Sequence, residues 1–341
     1  MTTFRLRGVS RGLGLNLRRR AASGAGSEPP GDTQAPSVPE NLVATAVSSS
    51  QIDLTWDAST DDVAVTGYNI YRDNVLVDTS PTNAYSDTGL APGTLYQHEV
   101  SAFDAASNES ARSTPDSATT HQVIVTAGLI AEWRFDDGAG QVLTDYSGNG
   151  HHGTLGANAS VGADDPTWIP EGLSFASGGL VSFASNLGIS GTQARSVVLV
   201  LNTTGVNRFA VEWIGNGTSG RRWTFRDQAS GEDLRLEIQG AGHNSGLNLT
   251  NAWRFVAVTQ SAANINTGVI YLDGNSAAIT TSAMINTTGN FSMMTLLGAA
   301  YGAGCKLAYA LVYNRALSAA EVEQNRAALK AILAARSITL P

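Results

Sequence analysis

The sequence predicts an all-β protein, and three observations carry that reading. Short runs of alternating apolar and polar residues recur along most of the 341 residues, each ended by a cluster of Gly, Asn, Asp or Ser. Glycine is abundant, at 36 residues, as suits a chain with many tight turns. Helix-period segments are almost absent. The exception lies at the C-terminus, where Ser318 stands as N-cap and Glu321 follows three residues later. Val322, Leu329, Ile332 and Leu333 supply the apolar stripe of that one short helix. The length allows two or three domains, each with its own core.

Charge is unevenly spread. The chain has 21 basic and 29 acidic residues, a net −8, yet the first twenty residues carry six arginines and no acid. The remainder is therefore strongly acidic, which argues against nucleic-acid binding by the folded part, because phosphate contacts need a positive surface. A single cysteine, Cys305, excludes an intramolecular disulfide framework. The domains must hold together by core burial alone, which suits assembly in a reducing compartment. No run approaches the 18 or so apolar residues of a membrane span.

Taken in order, residues 1–20 read as a basic extended arm. Phe4 and Leu6 alternate with Arg5 and Arg7, Arg11 follows, and Leu13, Leu15 and Leu17 alternate with small or polar residues before Arg18, Arg19 and Arg20. A period of two fits a strand, and an isolated strand is stable only when added to another sheet or laid in a groove. The alternative is a solvated basic tail. The arm has no apolar run of the kind a secretory signal requires. Residues 21–38, rich in Ala, Gly, Ser and Pro, read as a flexible linker.

Residues 39–120 form a first domain. Its strand-like runs are NLVATAV, QIDLTW, GYNIYR, NVLVDT and TLYQHEVSAFD, with Trp56 on the second. The stretch from Leu90 to Tyr96 has the tyrosine-corner arrangement, in which a Tyr hydroxyl bonds back to the preceding turn. On these motifs, in this order, the segment resembles a fibronectin type III β-sandwich of the bacterial and phage kind. The family's Arg-Gly-Asp tripeptide is absent after Phe103, so that activity does not transfer. Residues 121–128 read as a linker.

Residues 129–341 open on the Trp133 and Phe135 strand and the turn from Asp145 to Gly150, then Gly153 and Leu155. Later come Trp253, the Asp273-Gly274 hairpin and a closing strand before the C-terminal helix. This segment resembles the LamG-like, concanavalin A-type jelly-roll β-sandwich. It departs from the family at the closing strand, which lacks the acidic pair common before the final aromatic.

Candidate chemistry is thin. Catalytic jelly rolls line up carboxylates on one face of a strand. The nearest segment here runs from Glu232 to Glu237, where Glu232 and Asp233 are adjacent and Glu232 and Glu237 lie an odd number apart, so each pair diverges. No catalytic residue is assigned. Asp145 and Asn149, in a Gly-rich turn, are candidate ligands for a structural calcium, which relatives of this fold often hold. The alternative is that Asp145 caps backbone N–H groups of the turn. No other cofactor is required. Trp213, Arg221, Arg222, His243 and Tyr301 are candidate carbohydrate contacts, against the alternative that the aromatics are core.

The two resemblances and the arm lead to one expectation and its rivals. The expectation is a non-enzymatic bacteriophage virion protein, capsid- or tail-associated and exposed on the particle. Its arm would dock on other virion proteins, and its β domains would touch host glycans without nucleic-acid binding or membrane insertion. The alternative is a bacterial extracellular carbohydrate-binding adhesin module; a polysaccharide-degrading enzyme ranks third.

Overall fold

A computed structural model describes residues 31–341 apart from 177–178, 205–208, 214–221, 229–232, 239–240, 250, 285–286, 288–289, 297–298 and 301–303. The whole N-terminal arm, from Phe4 to Arg20, lies outside the described residues, as do Arg221, Glu232 and Tyr301. The all-β expectation holds, with one α-helix among the described residues.

The first domain has the two sheets of a fibronectin sandwich. One has three strands in the order Val43–Ala46, Gln51–Thr55, Ala84–Thr88. The other has four, in the order Val75–Ser80, Val65–Arg72, Leu95–Asp104, Asp116–Thr119. Alternation does the sorting: Ile52, Leu54 and Trp56 are buried from the first sheet's side, and Tyr68, Ile70, Val100 and Ala102 from the second's. Trp56 meets Tyr68 edge-on, with ring centroids 5.2 Å apart. The hairpin after Arg72 turns on Asp73 and Asn74, both at positive φ (50° and 68°), the requirement of a tight two-residue turn. The tyrosine corner is present, with the Ala91 N–H donating to the Tyr96 hydroxyl at 3.0 Å.

The second domain is a jelly roll of two antiparallel eight-stranded sheets. The first sheet is built around Arg195–Thr203, flanked by Cys305–Tyr313 and Trp253–Gln260. Its central strand reads as an unbroken apolar run because both faces are covered. Val197, Leu199 and Leu201 face the inter-sheet core, whereas Val198 and Val200 face a second apolar cluster beneath the helix. The second sheet runs Ala241–Asn248, Asp233–Ile238, Trp223–Gln228, Ala210–Trp213, Phe291–Met293, Val181–Ser182, Gly153–Leu155, Val142–Leu143. Its inner face supplies Trp213, Trp223, Phe225 and Phe291 to the core, where Trp213 sits 5.1 Å from Trp223 and 4.7 Å from Phe291.

The helix Ala319–Ala334 begins as the sequence predicts. Ser318 and Glu321 form a reciprocal capping box. Its buried face differs from the expected stripe: Val322, Asn325, Ala328, Leu329 and Leu333 are buried, whereas Ile332 is exposed. Asn325 earns its place by hydrogen bonding, since its Oδ1 accepts the Val125 N–H at 2.7 Å and its amide donates to the Tyr313 hydroxyl at 3.0 Å. The Tyr313 hydroxyl in turn donates to the Val125 carbonyl at 2.9 Å. The stretch expected to be a linker is therefore tied down at Val125, which is buried with the helix cluster.

Candidate functional site

The second sheet's strands alternate strictly, so placing Val211, Trp213, Trp223, Phe225, Leu234 and Leu236 in the core turns their neighbours to the opposite face. The antiparallel registers line those neighbours up across the sheet. Ser292, Glu212, Thr224, Glu237 and Gly242 stand side by side on five consecutive strands. One row over stand Ala210, Arg226, Arg235 and Asn244.

Arg222 bridges the two glutamates of the first row. Its Nε lies 3.4 Å from Glu212 Oε2 and one terminal nitrogen 3.5 Å from Glu237 Oε1. Its Nε also donates to Thr224 Oγ1 at 2.9 Å. Glu237 Oε2 accepts from Arg226 at 3.1 Å and from Arg235 Nε at 2.9 Å, and Arg235 reaches on to Asn244 Oδ1 at 2.7 Å. Burial works against the charge on Glu237, but the hydrogen bonds from Arg235 and Arg226 outweigh it and hold the carboxyl below its usual value. Glu212 is fully buried, while Arg226 and Arg235 are 14% and 15% exposed at their side chains. The result is a preorganised set of charged groups with Asn244 exposed at its end. Arg226, Arg235 and Asn244 leave charged and amide groups at the more exposed end of this set.

The residues singled out in the sequence divide. Arg222 is the centre of this network. Trp213 is a correction: it is fully buried, its indole donates to the Asn186 carbonyl at 3.0 Å, and it cannot be an exposed sugar platform. Its strand turns it into the core while Glu212 takes the outer face. His243 is half-buried, with Nδ1 3.3 Å from Thr280 Oγ1. Arg221 and Tyr301 fall outside the described residues. Glu212, Arg226, Arg235 and Asn244 were missed. Their signal was available as polar residues in step with the apolar alternation, but their convergence depends on register across four strands.

The Asp145 turn follows the capping alternative. Asp145 Oδ1 accepts the N–H groups of Glu132 (3.0 Å) and Ser147 (2.9 Å), and Oδ2 accepts the Ser147 hydroxyl (2.9 Å) and the His151 N–H (2.8 Å). Burial opposes the charge, yet these donors outweigh it and keep the carboxyl below its ordinary value. Asn149 uses its amide nitrogen on the Ile130 carbonyl at 3.1 Å. Asp145 is thus occupied in closing the turn by four donors, and Asn149 by its amide nitrogen.

Family comparison agrees with both domains. Residues 37–119 match the fibronectin type III domain, and residues 175–323 match the concanavalin A-like lectin/glucanases superfamily. The chain thus joins a fibronectin type III domain to a concanavalin A-like domain. Chitinase A1 of Niallia circulans is 35% identical over 185 residues, half of this chain and 26% of that protein. Chitinase Chi52 of Paenibacillus xylanexedens is 40% identical over 131 residues, 36% of this chain and 25% of that protein. Exoglucanase B of Cellulomonas fimi is 48% identical over 89 residues, 26% of this chain and 8% of that protein. The chain therefore spans about a quarter or less of the relatives it matches. Among solved structures, an Fn3-like protein from Clostridium thermocellum is 29% identical with a TM-score of 0.22, covering 25% of this chain and 92% of that one. The relatives named are carbohydrate-active enzymes and not virion proteins, so the virion expectation gains no support. Among the described residues no helix is long and apolar enough to cross a membrane.

Proposed function

We propose that this chain is a non-catalytic glycan-binding unit of a carbohydrate-active or surface protein, with the jelly roll as the binding domain and the fibronectin domain as a spacer. The observation that carries the reading is the Arg222-centred row, a set of charged side chains held in place on the face of the sheet turned away from its core. The accessory-region similarity to chitinases and an exoglucanase points the same way. Charged and amide groups there would meet sugar hydroxyls, and no aromatic platform enters the reading because Trp213, Trp223 and Phe291 are all buried.

The test is retention of the full chain on insoluble chitin and cellulose, together with a glycan array. Asn244→Ala, at an exposed position, and Arg235→Gln should each weaken binding by about tenfold, the size of one charge-assisted hydrogen bond. Absence of any signal on the array and on both polysaccharides would sink the proposal.

A further inference from the structure

The fibronectin domain brings three carboxylates together from three separate segments. Asp32 lies on the extended stretch leading into the first strand, Asp61 on the loop before Val65–Arg72, and Asp104 at the end of Leu95–Asp104. One carboxylate oxygen from each lies within 4.8 Å of the other two. Calcium binds oxygen at about 2.3–2.6 Å, so oxygens on opposite sides of one ion stand about 4.8 Å apart, and three this close can share it. No described Lys, Arg or His forms an ion pair with any of the three.

The arrangement is held by contacts that leave one solvent-shielded oxygen, Asp61 Oδ1, without a donor. Asp104, 3% exposed, accepts the Asn108 N–H at 2.8 Å on Oδ1 and the Asn108 amide at 2.7 Å on Oδ2. The same amide reaches the Asp32 carbonyl at 3.2 Å, drawing the extended stretch to the strand end. That stretch is tied to the loop as well: Ser37 N–H donates to the Thr60 carbonyl at 2.8 Å, and Thr60 N–H to Ser37 Oγ at 2.9 Å. Asp61 Oδ2 accepts the N–H groups of Val63 (3.0 Å) and Ala64 (2.9 Å). Its other oxygen, Oδ1, is shut off from solvent and accepts no hydrogen bond. A solvent-shielded carboxylate oxygen without a hydrogen-bond donor, beside two further carboxylates, is a costly arrangement that a cation would complete.

We infer that Asp32, Asp61 and Asp104 form a calcium site, in which one ion clamps the segment leading into the domain to the loop and to the strand end. The remaining coordination positions would be filled by carbonyl oxygens or water, which calcium's irregular shell accepts. This site is distinct from the Asp145 turn and does not depend on the glycan reading.

The experiment uses the full chain, stripped with EDTA and dialysed into calcium-free buffer. Titration calorimetry with calcium chloride should give one ion per chain, and thermal unfolding should shift upward with calcium concentration. Asp61→Asn keeps an oxygen acceptor for the Val63 and Ala64 N–H groups, and Asp32→Asn changes only the extended stretch. Each should weaken calcium binding at least tenfold while circular dichroism shows a folded protein. Asp62→Asn, at the exposed neighbour outside the cluster, should bind as the unaltered chain does. No binding heat and no thermal shift would overturn the assignment, as would both cluster variants binding calcium normally. Tighter binding of magnesium than of calcium would overturn the choice of ion.

Discussion

Arg195 is fully buried in the jelly roll, yet no described carboxylate neutralises it. Its Nε donates to the Gln193 carbonyl at 3.2 Å, and its terminal nitrogens to Thr287 Oγ1 at 3.1 Å and the Gly191 carbonyl at 3.3 Å. The guanidinium also lies 4.9 Å from the centre of the Trp213 ring. Burial alone pushes its pKa down to about 9, so it stays charged at neutral pH. Three acceptors in fixed directions suit a planar fork and not the point charge of an ammonium. Arg195→Lys is therefore expected to destabilise the jelly roll by about 2 kcal/mol, the usual cost of orphaned buried acceptors, read from urea unfolding. The same residue explains why Trp213 is unavailable to sugars, since it forms part of the cradle for this cation.

At the scale of elements, the C-terminal helix shows how a local sequence signal is reinforced from outside. The capping box of Ser318 and Glu321 is joined by Arg315, whose guanidinium lies 2.6 Å from Glu321 Oε1. The hydrogen bond from Arg315, followed by that from the Ser318 N–H, lowers the Glu321 pKa from 4.5 to about 2. A carboxyl depressed on folding stabilises the protein fully above its unfolded pKa, and that share is lost as pH falls through the folded value. The melting temperature should accordingly drop between about pH 4.5 and pH 2, and Glu321→Gln, which can still close the box, should flatten that part of the profile. The box was legible in the sequence because its partners are three residues apart. The buried face was less so: Asn325 breaks the apolar pattern, and its burial makes sense only once Val125 and Tyr313 are beside it.

For the whole molecule, the two proposed sites lie on different domains and use different chemistry, so they should separate experimentally. Retention on polysaccharide should be unchanged by EDTA and by Asp61→Asn, while calcium binding should be unchanged by Asn244→Ala. Coupled loss in either direction would show that one variant had damaged the fold. The all-β class, the order of the two domains, the tyrosine corner at Tyr96, the Asp273-Gly274 hairpin and the capped helix were all determined by the sequence itself. The order of the two domains is what the family resemblances imply; the other features rest on patterns within a few residues, where backbone sterics and local hydrogen bonds decide the outcome. Tertiary structure alone decided that Trp213 is core and Glu212 is not, because the choice of face is made by register against neighbouring strands. It likewise decided that Glu212, Arg222 and Glu237 converge, and that Asp32, Asp61 and Asp104 meet. Those groups come from segments far apart in the chain, and charge acts through distance in space, which no local pattern records.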